Sequence, residues 1–109
     1  MSDAAGSLEL ELRPAGEPAF DAILRLRGEH DLASADELET AIATVRGSIL
    51  VDLSGCEFLD SSVLRVLFDK HAALRPAGHH VELIAPRENL AVTRILELSG
   101  LGEVFPLRD

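Results

Sequence analysis

The chain has no tryptophan and no tyrosine, and only four phenylalanines among its 109 residues. Platforms that stack single-stranded nucleic acid are built from aromatic rings, so that class of partner loses its usual support. Cations are scarce too: 10 Lys and Arg stand against 19 Asp and Glu, a formal charge of −9. This balance repels a phosphate backbone or an anionic bilayer and favours a partner with a basic surface. Cys56 is the single cysteine, so no intramolecular disulfide can form and a reducing compartment is the natural setting. Beside Phe58 it reads as a small buried residue. No apolar run reaches membrane-spanning length, and Met1 to Ser7 lacks the basic start and apolar run of a signal peptide. A soluble cytoplasmic protein is expected.

What is present is a foldable core. Hydrophobic residues make up 47% of the chain, enough for one packed domain at this length and too little chain for two. Residues 1–7 are small and polar and are expected to be a disordered tail, with the domain spanning 8–109. Leu8, Leu10 and Leu12 alternate with Glu9, Glu11 and Arg13, the period of a half-buried strand. After the turn Pro14–Pro18, a second strand runs from Phe20 to Leu26 and should pair antiparallel with the first. Gly28-Glu29-His30-Asp31 reads as a loop. Ser34 and Glu37 have capping-box spacing for a first helix carrying Leu38, Ala41, Ile42 and Val45, which Gly47 ends.

Ile49–Leu53 predicts a third, buried strand, and Gly55 and Glu57 a loop. A second helix with Leu64, Leu67, Phe68 and His71 on one face should stop near Pro76-Ala77-Gly78. Val81–Ile84 is a fourth strand. A third helix carries Ala91, Val92, Ile95 and Leu96 and closes at Ser99-Gly100. Val104-Phe105 is a last short strand or a packed tail. Strand-helix-strand crossovers make strands two to four parallel. The expected fold class is therefore α/β: a mixed sheet with a parallel β-α-β-α-β core, an antiparallel N-terminal strand, and three to four helices mainly on one face. The polar alternates Glu9, Glu11, Asp21, Arg25 and Arg27 should make the other face largely polar.

Asp60-Ser61-Ser62 stands directly before the second helix. Asp and Ser cap helices because their oxygens accept hydrogen bonds from the first free N–H groups, so a plain cap accounts for the triplet. The same place also suits a phosphate, since free N–H groups and the helix dipole favour negative charge. With strands two and three parallel, Glu29 and Asp31 should share a sheet edge with Asp60 and Ser61. No P-loop is present. His30, His71, His79 and His80 lack metal-ligand spacing, and His79 and His80 read as surface residues. A Ser-His-Asp arrangement on Ser61 has no G-x-S-x-G elbow to support it. No metal, no cofactor and no enzyme activity are expected.

Three separated stretches carry a resemblance: L-R-G-E-H-D (Leu26 to Asp31), V-D-L-S-G-C-E-F-L-D-S-S (Val51 to Ser62), and R-I-L-E-L-S-G-L with V-F-P (Arg94 to Pro106). From Leu8 onward the chain resembles a STAS domain of the bacterial anti-sigma-factor antagonists. The resemblance implies that Ser61 is a phosphoacceptor and that Asp31 lies near it. It implies a switch in which the unphosphorylated protein binds an anti-sigma factor that is also a serine kinase, and a serine phosphatase resets the phosphorylated form. The alternative within the resemblance is a scaffold subunit of a transporter ATPase or signalling complex, with Ser61 never phosphorylated. Where the family often carries glycines, this chain has Val63 and Arg65. Val63 is expected to add bulk beside the acceptor. Arg65, four residues after Ser61, is either placed to reach back toward a phosphate there or is a solvated arginine that never contacts the site. The expected site is thus Ser61 with Glu29, Asp31, Asp60, Ser62 and Arg65 around it.

Overall fold

Alternation of leucine with charge along the first strand decides how the sheet begins. In the computed structural model, which describes residues 6–109, strand β1 (Ser7–Leu12) pairs antiparallel with β2 (Ala22–His30). Leu8 and Leu10 sit opposite Leu26 and Leu24, while Glu9 sits opposite Arg25. The leucines turn toward the core, and Arg25 on the other face reaches Glu9 at 3.3 Å and Glu11 at 3.1 Å. The strand starts at Ser7, and residues 1–5 of the expected tail lie outside the described residues.

Strands β3 (Ile49–Asp52) and β5 (Val81–Ile84) extend the sheet in parallel, and β6 (Leu107–Arg108) closes its far edge. The order is β1-β2-β3-β5-β6, with a further strand, β4 (Cys56–Leu59), pairing only with β2. Helices α1 (Leu32–Ile42), α2 (Ser61–Leu74) and α3 (Leu90–Ser99) occupy the crossovers. Every second strand residue, Ala22, Leu24, Leu26, Ile49, Val51, Val81 and Leu83, joins one core with Leu38, Ile42, Leu64, Leu67, Val92 and Leu96 from the three helices. All three helices therefore cover the same face. Each fully buried leucine contributes about 1.5–3 kcal/mol of transfer free energy.

The uncovered face is not as polar as the alternation suggests. Ile23 and Leu50 are buried there with Phe20, and Ile84 packs against them. Their cover comes from side chains rather than a helix. The Arg108 guanidinium lies 5.6 Å from the Phe20 ring centre, and the His80 ring meets the same phenyl edge-on at 5.8 Å. Long amphipathic side chains can seal apolar surface while their charged ends stay wet; here Arg108 ends on Glu82 at 2.5 Å. His80 is consequently half-buried rather than a plain surface residue: its ring Nε2 lies 3.4 Å from Glu82 Oε1, and its backbone N–H donates to the Ser48 hydroxyl at 3.0 Å.

Several local expectations need correction. Gly28–His30 is strand, not loop: Gly28 takes φ +77°, a left-handed value that costs a glycine little, and the ladder shifts register there. That bulge lets β2 leave β3 and continue against β4. Glu57, read with Gly55 as a loop, accordingly lies in β4 (Cys56–Leu59); four residues are too few to show a period. Helix α1 is capped by Asp31, whose Oδ1 accepts from the Ala33 N–H at 3.0 Å, and not by Ser34. It ends at Ile42, well before Gly47. Of the two readings of Val104-Phe105, the packed tail holds for Phe105, which is buried in the core, and the last strand lies at Leu107–Arg108.

Candidate functional site

Two aspartates end two parallel strands side by side. His30 at the end of β2 pairs with Leu59 at the end of β4, and the Asp60 N–H donates to the His30 carbonyl at 2.9 Å. The next residues are Asp31 and Asp60, and each caps a helix. Asp60 Oδ2 accepts from the Ser62 N–H at 2.8 Å and from the Ser62 hydroxyl at 2.5 Å. The Ser62 hydroxyl and N–H hold the Asp60 carboxyl below the usual carboxylate range. The edge expected from the parallel topology thus exists, but β2 and β4 form it, not β2 and β3.

The two serines are not equivalent. Ser62 is half-buried and its hydroxyl is committed to Asp60, whereas Ser61 is exposed and, among the described residues, no hydrogen bond engages its hydroxyl. Ser61 is the first residue of α2, where the positive end of the helix dipole faces solvent. Glu29 is exposed on β2 and stands opposite Phe58 of β4, itself 47% exposed. Glu29, Asp31, Asp60, Ser61 and Ser62 are therefore brought to one edge.

Arg65 is not brought in. Its Nε lies 3.6 Å from Asp69, one turn further along the exposed side of α2. Val63 does not crowd the acceptor either; it is fully buried and faces the core, where a glycine would leave that space empty. No general base serves Ser61 from the buried histidines. His71 lies ten positions along α2, about 15 Å by helix rise, and its Nδ1 accepts the Val81 N–H at 3.0 Å. His30 Nε2 faces the carbonyls of Ser7 and Arg27 at 3.1 and 3.0 Å. Cys56 is buried, and burial pushes its thiol pKa up to about 11, so it is a packing residue and not a nucleophile.

A family model described as "Mlab, STAS domain" matches residues 16–108, nearly the whole chain. The chain belongs to the STAS domain family. A curated relative, the anti-sigma F factor antagonist of Paenibacillus polymyxa, is 30% identical over 92 residues, covering 80% of this chain and 77% of that protein. The STAS fold is shared with an anti-sigma factor antagonist from Mycobacterium paratuberculosis at 26% identity and TM-score 0.74, over 98% of this chain and 88% of that one. The unphosphorylated form of the anti-sigma factor antagonist SpoIIAA superposes with TM-score 0.77 at 20% identity, over 94% and 89% of the two chains. At that identity the likeness speaks for the fold.

One consequence of the paired caps is testable on this STAS domain by itself. Asn and Asp are equivalent caps, whereas alanine costs about 1 kcal/mol. Asp31→Asn is expected to leave the thermal midpoint where it is, and Asp31→Ala to lower it. If Asn destabilises as much as Ala, the carboxylate charge of Asp31 serves folding and is not reserved for a partner.

Proposed function

We propose that this STAS domain is an anti-sigma-factor antagonist controlled by phosphorylation of Ser61. The observation that carries this reading is the exposed, uncommitted Ser61 hydroxyl at the N-terminus of α2, flanked by the carboxylates of Asp31 and Asp60. In the free protein a phosphate there meets opposing effects. The helix terminus favours it by about 0.3–1 kcal/mol. An exposed carboxylate a few ångströms away opposes it by about 1 kcal/mol per unit charge in water. With two carboxylates and a near-dianion the repulsion exceeds the helix term, reaching about 4 kcal/mol at 4 Å in water before salt screens it, so the free domain carries the modification at a modest cost.

A partner surface changes the balance. Desolvation strengthens the repulsion between the phosphate, Asp31 and Asp60, and adds the cost of burying a dianion. The unphosphorylated domain therefore binds an anti-sigma factor that is also a serine kinase, phosphorylation releases it, and a serine phosphatase restores binding. The relatives support this reading: one curated relative is an anti-sigma F factor antagonist, and SpoIIAA has an unphosphorylated and a phosphorylated structure. The cytoplasm is the compartment this function requires.

Peptide mapping of the protein purified from its own cells tests the assignment. Phosphate is expected on Ser61, because the Ser62 hydroxyl is tied to Asp60. Phosphate found mainly on Ser62 overturns it.

A second reading is favoured by the arginine. With Arg65 turned to Asp69, the arginine expected to hold a phosphate is engaged elsewhere, as suits a scaffold subunit of a transporter ATPase or signalling complex whose Ser61 stays unmodified. In the switch reading, Arg65 leaves Asp69 for phospho-Ser61 and forms charge-assisted bonds to it. Phosphorus NMR titration separates the two. Removing the guanidinium in Arg65→Ala raises the second pKa of the phosphate if the arginine moves, and superimposable curves leave it without a role.

A further inference from the structure

Asn89 makes more hydrogen bonds than its position in the chain requires. It caps α3, its Oδ1 accepting from the Val92 N–H at 3.3 Å. Serine, threonine or aspartate would do that equally well. Only a carboxamide supplies two N–H donors as well, and here both are used away from α3. Nδ2 donates to the Cys56 carbonyl at 2.7 Å and to the Leu53 carbonyl at 3.2 Å.

Those two carbonyls bracket the turn that carries the chain out of β3 and into β4. The turn is closed by the Cys56 N–H on the Leu53 carbonyl at 3.0 Å. Beyond it, β4 is held by a short ladder, by the Gly28 N–H on the Gly55 carbonyl and the Asp60 N–H on the His30 carbonyl at its two ends, and by burial of Cys56 and Leu59. It pairs with β2 at only three positions, Gly28↔Cys56, Glu29↔Phe58 and His30↔Leu59, and the ladder slips within them. The last residue of β4 is Leu59, and Asp60 and Ser61 follow directly. Cys56 and Leu59 are separated by three strand steps, about 10 Å. Asn89 thus does not touch Ser61 but holds the start of the short strand whose end presents it.

We propose that Asn89 is a positioning residue for Ser61: its two amide bonds clamp the β3–β4 turn to α3 and so fix the angle at which the Asp60–Ser61 cap is offered. That Ser61 is the residue being offered rests on the phospho-switch reading; the clamp does not. The clamp predicts a mechanical division. Asn89→Ser keeps an oxygen to cap α3 and loses both donors, so α3 should hold while β4 and the first turn of α2 loosen.

Native-state amide exchange reads this residue by residue. In Asn89→Ser the protected amides of Cys56, Asp60 and Ser62 are expected to exchange about tenfold faster, while those of Thr93 and Leu96 in α3 change less than about twofold. Asn89→Asp, of the same shape and also a cap, should give the same selective rise. Exchange that stays unchanged at Cys56, Asp60 and Ser62, or that rises uniformly across the chain, overturns the proposal and leaves Asn89 a helix cap. Because this readout needs no kinase and no phosphate, its failure is distinct from a failure to find phosphate on Ser61.

Discussion

Phosphoserine at position 61 is expected to lower affinity for the anti-sigma partner by about 100-fold, near the upper end of ordinary coupling between a modification and a binding site. Two negative charges added beside Asp31 and Asp60 are tolerable in water and costly once a partner excludes it. Ser61→Asp adds one charge and a smaller anion, so it should weaken binding by less than the phosphate does. Ser61→Ala should bind like the unmodified protein, because no hydrogen bond among the described residues depends on that hydroxyl and its neighbour Asp60 supplies the cap. Calorimetric titration of the three forms against the partner decides the matter. Equal affinities for wild type and Ser61→Asp would remove the charge argument and leave the scaffold reading.

His71→Ala should be among the more damaging substitutions at a polar position. The imidazole is buried, lies edge-on to the Phe105 ring at 5.4 Å, and accepts the Val81 N–H at 3.0 Å. Truncation removes a buried ring and also strands the first N–H of β5. A buried donor without a partner costs about 1–3 kcal/mol, and the cavity adds a comparable amount. A loss of about 3 kcal/mol would move the urea midpoint down by about 1–3 M. A shift within experimental error would mean that water or a neighbour replaces the ring.

The same residue sets a pH dependence. Val81 can only donate, so His71 Nδ1 must be the bare nitrogen of a neutral ring. Burial first, then the charges of Arg75 and His80, pull its pKa below the ordinary 6.5. The unfolded chain therefore takes up a proton at pH values where the native protein does not. Its contribution is complete above about pH 6.5 and is lost as the pH falls through the folded value. Urea titrations of wild type and His71→Ala from pH 7.5 to 5 should show that slope in the first and a flatter one in the second. Parallel curves would assign the acid sensitivity to other groups.

Much of this was written in local patterns. The alternating leucines of β1, the run Ile49–Asp52, and the pairs Ser99-Gly100 and Ala77-Gly78 mark their elements with residues whose physics is local: period two, buried apolar runs, left-handed caps. Asp60 as the cap of α2 was legible for the same reason. Asp31 was not, because Ser34 and Glu37 have capping-box spacing three residues later and nothing nearby ranks one cap above the other. Long-range pairing ranks them: the Asp60 N–H on the His30 carbonyl ends β2 at His30 and leaves Asp31 to start the helix.

The sequence by itself determined the class of the fold, the acidic character of the surface and the Asp-Ser pair at a helix N-terminus, since each follows from composition or from contacts within one turn. Tertiary structure decided the rest. Strand β4 exists because the bulge at Gly28 turns β2 toward it, Val63 faces inward because α2 packs on the sheet, and Asn89 reaches Cys56 across 33 residues. Such contacts depend on which segments the chain brings together, and that choice minimises the free energy of the whole core rather than of any one stretch.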